Sequence, residues 1–256
     1  MSDENVLEVR ELKVWFPIKK GILVRTVGHV KAVDGVSFVL RRGETLGVVG
    51  ESGSGKTTVA RVITGLQKPT AGTVRTNGRV AMVFQDPLGS LNPRMTVRAT
   101  LEEVLKFGSA GSEPGAGARG KASAQELLEM VGMEAAALDK YPHEFSGGQR
   151  QRICIARAIA AQPRILICDE AVSALDLSIR AQVLDLLDDL KRRLGLSLMF
   201  ITHDLGVVQH IADRIIVMNR GRVIEEGPCG QVLKTPREDY TRYLMASVPK
   251  IGKPLT

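Results

Sequence analysis

Short apolar runs separated by polar and glycine-containing turns recur along the whole chain. Before residue 50 these runs alternate with polar residues over part of their length, which predicts short strands and a turn at Lys19-Lys20-Gly21. Further along, apolar runs of strand length alternate with helical periodicity, which predicts a parallel sheet with helices packed on it. The predicted elements are a strand at 45–49, a helix at 58–66, a strand at 78–84, helices at 122–130 and 149–161, a strand at 164–168, a helix at 178–194, a strand at 197–202, a helix at 205–212, and a hairpin of 214–218 with 222–225.

The length of 256 residues suits one large domain, or a domain with a small appendage. Residues 108–120 are rich in glycine, alanine and serine, which predicts a flexible inserted loop. The net charge of +7 is dispersed, and its densest clusters, at 41–42 and 191–193, are expected on solvated faces. Aromatic residues make up only 4% of the chain, which disfavours a nucleic-acid platform built on base stacking.

The sequence also bears on the cellular compartment. No apolar run approaches the length needed to span a bilayer, and residues 1–5 are too polar and acidic for a secretory signal. Cys154, Cys168 and Cys229 are widely separated, without the paired spacing of a zinc or iron–sulfur site. We therefore expect reduced thiols and a cytosolic location.

Residues 50–57, GESGSGKT, carry the strongest chemical signal in the chain. They match the P-loop pattern and lie between an apolar strand and a predicted helix, the context this motif requires. Glycines let the backbone wrap a phosphate chain, Lys56 can reach the β- and γ-phosphates, and the Thr57 hydroxyl can hold Mg²⁺. A glycine-rich turn without a ligand is the alternative. The predicted nucleotide-binding residues here are Gly50, Glu51, Ser52, Gly53, Ser54, Gly55, Lys56, Thr57 and Thr58.

A second acidic element follows the apolar strand at 164–168, where Asp169 and Glu170 are adjacent. A carboxylate at the end of a buried strand near a P-loop can hold the Mg²⁺ shell. Its neighbour can accept a proton from the attacking water. The sequence predicts Asp169 as a metal ligand and Glu170 as the base, with an acidic strand-end cap as the alternative.

Phe145-Ser146-Gly147-Gly148-Gln149 precedes a predicted helix and forms a second candidate anion-binding helix start. An ordinary N-cap is the commoner use of such a serine. One P-loop does not need a second phosphate cradle in the same chain. The segment, if it is a cradle, therefore suggests a nucleotide shared between two copies.

Together these motifs resemble those of the ATPase subunits of ABC transporters. Gln85 matches the Q-loop of that family, residues 145–149 its signature motif, Asp169-Glu170 its Walker B motif, residues 173–176 its D-loop, and His203 its switch histidine. The six motifs, the P-loop included, occur in the family's order and over nearly the full length of the chain. The resemblance is therefore specific.

The resemblance implies further roles. Gln85 contacts Mg²⁺ or the attacking water, although a lone glutamine at a strand end is by default a plain polar residue. His203 contacts the γ-phosphate and orients Glu170, whereas position alone would favour an ordinary surface histidine. Asp176 lies at a dimer interface, while Ser146, Gly147, Gly148 and Gln149 act on the partner's ATP. Phe16, or the neighbouring Trp15, stacks on adenine.

Other segments are similar to the branch of this family that imports dipeptides and oligopeptides. They are the Q-loop region at 85–97, residues 141–144 before the signature, residues 30–35 after an N-terminal hairpin, and the C-terminal stretch at 235–244. In that last stretch Glu238 and Asp239 stand where the branch usually has His-Pro. The chain lacks the cysteine cluster of some relatives, so no iron–sulfur centre is expected.

The implied fold class is α/β, a P-loop NTPase of the ABC ATPase type with an antiparallel β subdomain and a helical subdomain. The implied ATPase domain covers residues 1–234, with the helical subdomain at about 88–160, and residues 235–256 form a short C-terminal extension.

The implied function is ATP hydrolysis that powers import of peptides, or of a related small solute, with ATP and Mg²⁺ as cofactors. The implied partners are two membrane permease subunits, a second ATPase and an external solute-binding protein, with no nucleic acid. Ala171-Val172 resembles the second ATPase type, which favours a heterodimer over a homodimer. The expected location is the cytoplasmic face of the inner membrane, as a peripheral subunit.

Two other functions remain alternatives. A soluble ABC ATPase acting on DNA or ribosomes would usually carry coiled-coil insertions or two fused halves, which this chain lacks. A module that grips ATP without hydrolysing it would not need Glu170 and His203. The transported molecule does not follow from the sequence.

Overall fold

The structure, a computed structural model, describes residues 4–20, 25–108 and 122–246. It divides into two units, one of Met1–Thr76 with Met199–Thr256 and one of Asn77–Leu198. The flexible loop predicted at 108–120 lies outside the described residues from 109 on. Gly21, in the predicted hairpin turn, and residues 247–256 of the predicted extension also lie outside them.

The described elements are regular strands and helices with two short 3₁₀ turns at Ala135–Asp139 and Pro142–Glu144. The strands are β1 Asn5–Lys20, β2 Arg25–Arg41, β3 Thr45–Val49, β4 Ala71–Thr76, β5 Val80–Val83, β6 Ile165–Asp169, β7 Ser197–Thr202, β8 Arg214–Asn219 and β9 Arg222–Pro228. The helices are α1 Lys56–Ile63, α2 Pro87–Ser90, α3 Val97–Gly108, α4 Ala124–Met130, α5 Gly147–Ala160, α6 Leu177–Leu194, α7 Leu205–Ile211, α8 Cys229–Lys234 and α9 Asp239–Ala246.

The first unit contains an antiparallel sheet in the order β2-β1-β4. The prediction of short strands before residue 50 is wrong for β1 and β2, which are 16 and 17 residues long. Register shifts along their pairing interrupt the alternation of inward and outward residues, so Val6 and Leu7 are both buried. The sequence pattern does not predict β4, because most of its residues are exposed and form no apolar run.

The first unit also contains the strands that carry the P-loop. β3 pairs in parallel with β8, and β8 pairs with β9 in the predicted hairpin. Val49 at the end of β3 belongs to an apolar cluster with residues of α7, α8 and β8. Three side chains of α9 pack against this cluster, namely Tyr240, Leu244 and Met245. The C-terminal helix therefore packs against this unit's core.

A buried arginine ties the start of β8 to the turn before β3. The Nε of Arg214 donates to Glu44 at 2.7 Å, and its side chain is 10% exposed against 7% for that of Glu44. The same guanidinium donates to Glu226 and to the carbonyl of Val39. Burial disfavours its charge, but the two carboxylates outweigh burial and raise the pKa of Arg214.

The second unit contains the parallel pair β5 and β6 and the helices α2 to α6. Helices α4, α5 and α6 confirm the helices predicted at 122–130, 149–161 and 178–194, with ends that differ by a few residues, whereas α2 and α3 were not predicted. α5 and α6 approach closely at Gly148, where a Cβ would lie 2.5 Å from Cγ2 of Ile179. The helical subdomain expected at about 88–160 falls wholly inside this unit, and β7 crosses the boundary between the units.

All three cysteines are buried free thiols. Among the described residues, no helix combines the length and the apolar character that crossing a membrane requires.

We expect Arg214→Met to lower the free energy of unfolding by about 3–5 kcal/mol, because the change leaves the buried Glu44 carboxylate without its partner. Urea unfolding measures this loss. The matched control is Arg192→Met, which breaks an ion pair with Asp188 in which the two side chains are 70% and 44% exposed. That variant should lose less than about 1 kcal/mol. Equal losses in the two variants would contradict the role of burial.

Candidate functional site

The loop between β3 and α1 has a backbone path that only glycine tolerates at two of its positions. Gly50 has φ +151° and Gly55 has φ +105°. A Cβ on Gly50 would lie 2.2 Å from the carbonyl oxygen of Met218, and one on Gly55 would lie 2.3 Å from that of Ala32. The loop therefore runs directly against the backbones of β8 and β2, with no room for a side chain there.

Lys56 is the first residue of α1, and its side chain folds back over the loop. The residue is 5% exposed. Its Nζ donates to the carbonyls of Gly50 at 2.6 Å and Glu51 at 2.8 Å, and to Oγ of Ser54 at 3.3 Å. The N-cap residue, Gly55, has no side chain with which to cap α1. The N–H groups of such a helix start and a buried ammonium suit a polyanion.

The tip of the β8–β9 hairpin supports the loop from outside. The N–H of Gly221 donates to the carbonyl of Ser54 at 3.0 Å, and its own carbonyl accepts from the N–H of Asp34 at 2.8 Å. Arg222 donates to the Asp34 carboxylate at 2.8 Å and thereby holds the pKa of that carboxyl below its usual value. Sequence reasoning missed Gly221, since nothing in the pattern pairs residues so far apart.

A second support comes from the C-terminal helix. The hydroxyl of Tyr240 accepts a hydrogen bond from the N–H of Glu51 at 3.3 Å, and these residues are 189 positions apart. In the sequence, Tyr240 is only one residue of the C-terminal stretch at 235–244 that resembles the peptide-importer branch. No periodicity or spacing could have placed it at the P-loop.

The aromatic pair on β1 is divided between the two faces of the strand. Phe16 is 40% exposed and lies opposite Val30 of β2. Trp15 is half-buried, and Nζ of Lys31 lies 4.6 Å from its ring centroid. Adenine stacking by either ring stays a prediction.

In the second unit, β6 ends at Asp169, which is 5% exposed, and the next residue is Glu170. Glu170 has φ +49°, a left-handed conformation that is strained for a residue with a Cβ. Its carbonyl accepts from the N–H of Ser173 at 3.1 Å and from the Ser173 hydroxyl at 2.9 Å. A tight turn therefore redirects the chain at the predicted base.

Gln85 and Glu170 lie together in this unit, as their predicted roles require. Gln85 follows β5, which pairs in parallel with β6, so the two strand ends share one edge. The Nε2 of Gln85 donates to the Oε2 of Glu170 at 3.3 Å. This contact does not test the catalytic role of Gln85 or of Glu170.

Ser146 is the N-cap of α5. Its hydroxyl accepts from the N–H of Gln149 at 3.3 Å, and the Gln149 side chain accepts from the Ser146 N–H at 2.9 Å. This is a capping box, so the ordinary N-cap interpretation describes the side chain here. Action of Ser146, Gly147, Gly148 and Gln149 on a second copy's nucleotide stays a prediction.

The remaining predicted residues stand at the ends of elements. Asp176 occupies the N-cap position of α6, and its carbonyl accepts from the N–H of Arg180 at 2.8 Å. His203 is exposed directly after β7, and Asp204 beside it caps α7. Residues 50–58 and His203 belong to the first unit, and Gln85, Ser146, Asp169, Glu170 and Asp176 to the second.

We expect Gly55→Ala to destabilise the chain more than Gly53→Ala in urea unfolding. Both glycines have positive φ, which costs an alanine about 1–2 kcal/mol. Only Gly55 adds a collision with backbone, because a Cβ at Gly53 meets nothing within 4 Å. Equal losses in the free energy of unfolding would show that the backbone at Ala32 moves away from the new Cβ without an energetic penalty.

Comparison with known proteins gives the family. The model of the family described as ABC transporter matches residues 33–173. The chain is 45% identical over 258 residues to the probable D,D-dipeptide transport ATP-binding protein DdpF of Escherichia coli (strain K12), covering 100% of this chain and 82% of the relative. It is 44% identical over 269 residues to the oligopeptide transport ATP-binding protein AppF of Bacillus subtilis (strain 168), covering 98% and 80%.

Solved structures agree with this assignment. The ATP-binding cassette MJ0796, a bacterial ABC transporter cassette solved as a dimer, is 28% identical with a TM-score of 0.73, over 87% of this chain and 98% of that one. A further structure of that cassette, a post-hydrolysis state bound to ADP and phosphate, has a TM-score of 0.71. The resemblance inferred from the motifs and the α/β fold with an antiparallel sheet are both confirmed. The chain belongs to the ABC transporter family and is one of its ATP-binding ATPase subunits.

Proposed function

We propose that this chain hydrolyses ATP to power the import of peptides, or of a related small solute, through a membrane permease. The ATPase chemistry rests above all on the arrangement around Glu170, which a strained turn and the amide of Gln85 hold at the end of β6. The substrate class rests on relatives that are named for dipeptide, D,D-dipeptide and oligopeptide transport.

The loop at 50–57 fits the phosphates of ATP. Its left-handed glycines turn the backbone, α1 begins without a side-chain cap, and the buried ammonium of Lys56 lies inside the curve. Lys56 is held by carbonyl oxygens, which are weaker partners for an ammonium than phosphate oxygens. We assign Lys56 to the β- and γ-phosphates and Phe16 to the adenine ring.

The donors assigned to Mg²⁺ are the Thr57 hydroxyl, the Asp169 carboxylate and the Gln85 amide oxygen. All of them are hard oxygen donors, the kind that Mg²⁺ prefers. Mg²⁺ is usually bound through one or two carboxylates together with substrate phosphates and waters. Bound Mg²⁺ would neutralise charge on the phosphate oxygens.

Glu170 is assigned as the base that accepts a proton from the attacking water. The hydrogen bond from Gln85 and the turn closed by Ser173 limit the orientations of its carboxylate. His203 is assigned to the γ-phosphate, and Lys56 to the charge that develops as the phosphoryl group leaves. Catalysis in this class depends mostly on positioning and charge stabilisation.

A second ATPase subunit completes each site in this proposal. The N-terminus of α5, with Ser146, Gly147, Gly148 and Gln149, closes on the partner's γ-phosphate, and Asp176 lies at the interface. The MJ0796 cassette was solved as a dimer, which supports this arrangement. Ala171-Val172 favours a heterodimer.

The permease contact is assigned to the segment that follows Gln85. Leu88 on α2 is 55% exposed, an apolar side chain suited to a protein partner. The Arg157 guanidinium of α5 donates to the carbonyl of Ser90 and fastens α2 to that helix. Movement of the permease would therefore reach both Gln85 and the signature helix. In this arrangement the subunit is peripheral, at the cytoplasmic face of the inner membrane.

We expect Glu170→Gln to keep ATP binding and to lower the rate of hydrolysis by about 100- to 10,000-fold, because an amide cannot accept the proton. Phosphate release and nucleotide binding are measured on the same preparation. The control is Glu134→Gln, an exposed position in the same unit, which should turn over normally. Normal turnover by Glu170→Gln would remove Glu170 as the base.

Affinity purification of the tagged chain from detergent-solubilised membranes, followed by mass spectrometry, tests the partners. We expect two multi-span proteins and a second P-loop ATPase, with an associated solute-binding protein that indicates the substrate. Recovery of ribosomal or DNA-bound proteins from the soluble fraction would instead favour a soluble ATPase.

A further inference from the structure

Helix α9 of the C-terminal extension contacts the P-loop. Tyr240 places its ring against the apolar cluster that contains Val49, the last residue of β3. Its hydroxyl then reaches the N–H of Glu51, two residues further along the chain, at 3.3 Å. Burial raises the pKa of this hydroxyl, so it stays neutral at physiological pH.

The segment before α9 is held through its backbone. Glu225 on β9 is 8% exposed, and its carboxylate accepts from the N–H groups of Arg237 at 2.9 Å and Glu238 at 3.3 Å. Burial favours the neutral form, but these backbone hydrogen bonds hold the pKa of Glu225 below its usual value. The anchor uses main-chain groups, so it does not depend on a His-Pro pair at 238–239.

The bond from Tyr240 acts on one particular peptide unit. The N–H of Glu51 and the carbonyl of Gly50 belong to the same planar peptide group and point to opposite sides. On one side the carbonyl of Gly50 accepts from Nζ of Lys56 at 2.6 Å. On the other side the N–H donates to Tyr240. Gly50 has no Cβ to limit rotation of this plane.

We propose that Tyr240 is a positioning residue for the ATP site. Its hydroxyl fixes the orientation of the Gly50–Glu51 peptide, and that orientation sets the place of the Lys56 ammonium. This inference rests on the proposed binding of ATP phosphates by residues 50–57. It gives the C-terminal extension a role in nucleotide binding, through a contact with the backbone rather than with the nucleotide.

Tyr240→Phe tests this role, because it removes one oxygen and keeps the ring in the apolar cluster. The Kd for ATP should rise about two- to tenfold, the range that corresponds to one ordinary hydrogen bond. The Kd is measured by fluorescence titration well below the melting temperature, where the variant is folded. The matched control is Tyr243→Phe on the same helix, a tyrosine that is 60% exposed. That variant should bind ATP within twofold of the wild-type chain.

Thermal unfolding with and without ATP separates positioning from stability. A positioning role predicts that Tyr240→Phe loses part of the ATP-induced rise in Tm. An unchanged Kd, with or without a lower Tm, would overturn the inference and leave Tyr240 with only a structural role in attaching α9. Equal weakening in both variants would also overturn it. A wild-type chain that fails to bind ATP would contradict the proposed function instead.

Discussion

The backbone path between β3 and α1 is the constraint on which the nucleotide site depends. A phosphate chain is bound mainly by N–H groups, so the loop must turn its peptide planes in directions that ordinary residues avoid. Gly50 and Gly55 permit those directions, and the adjacent backbones of β8 and β2 leave no room for a side chain. The buried ammonium of Lys56 then balances carbonyl oxygens that the turn brings together.

Such a loop is intrinsically soft, because glycine gives up more conformational freedom on folding than other residues. Two hydrogen bonds within the first unit stabilise the loop. The N–H of Gly221 donates to the carbonyl of Ser54, and the hydroxyl of Tyr240 accepts from the N–H of Glu51. In the second unit the comparable strained residue is Glu170. Ser173 stabilises its left-handed backbone, and its carboxylate accepts a hydrogen bond from Gln85. The first unit therefore holds its loop by hydrogen bonds between residues distant in the chain, and the second unit holds Glu170 partly by hydrogen bonds that close a short, strained turn.

The sequence predicted most of the second half of the fold, because its strands are short, fully buried and apolar. It predicted β1 and β2 as strands that are too short, because register shifts break the two-residue period, and it did not predict β4, whose exposed residues give no apolar run. In the site, the P-loop, the acidic pair and residues 145–149 stand out within short segments, whereas Gln85, Asp176 and His203 were assigned through the family resemblance. The pairing of Gln85 with Glu170 and the contact of Tyr240 with the P-loop did not follow from the sequence, because each joins residues distant in the chain.

The sequence by itself determined the chemistry of this protein. A glycine loop before a lysine, an acidic pair after an apolar strand, and the order of the remaining motifs sufficed to assign the family and its ATPase activity. The tertiary structure alone decided which residues hold those motifs in place. A hydrogen bond depends on distance and direction in space, and neither is encoded in the local pattern of residues such as Tyr240, Gly221 and Glu225.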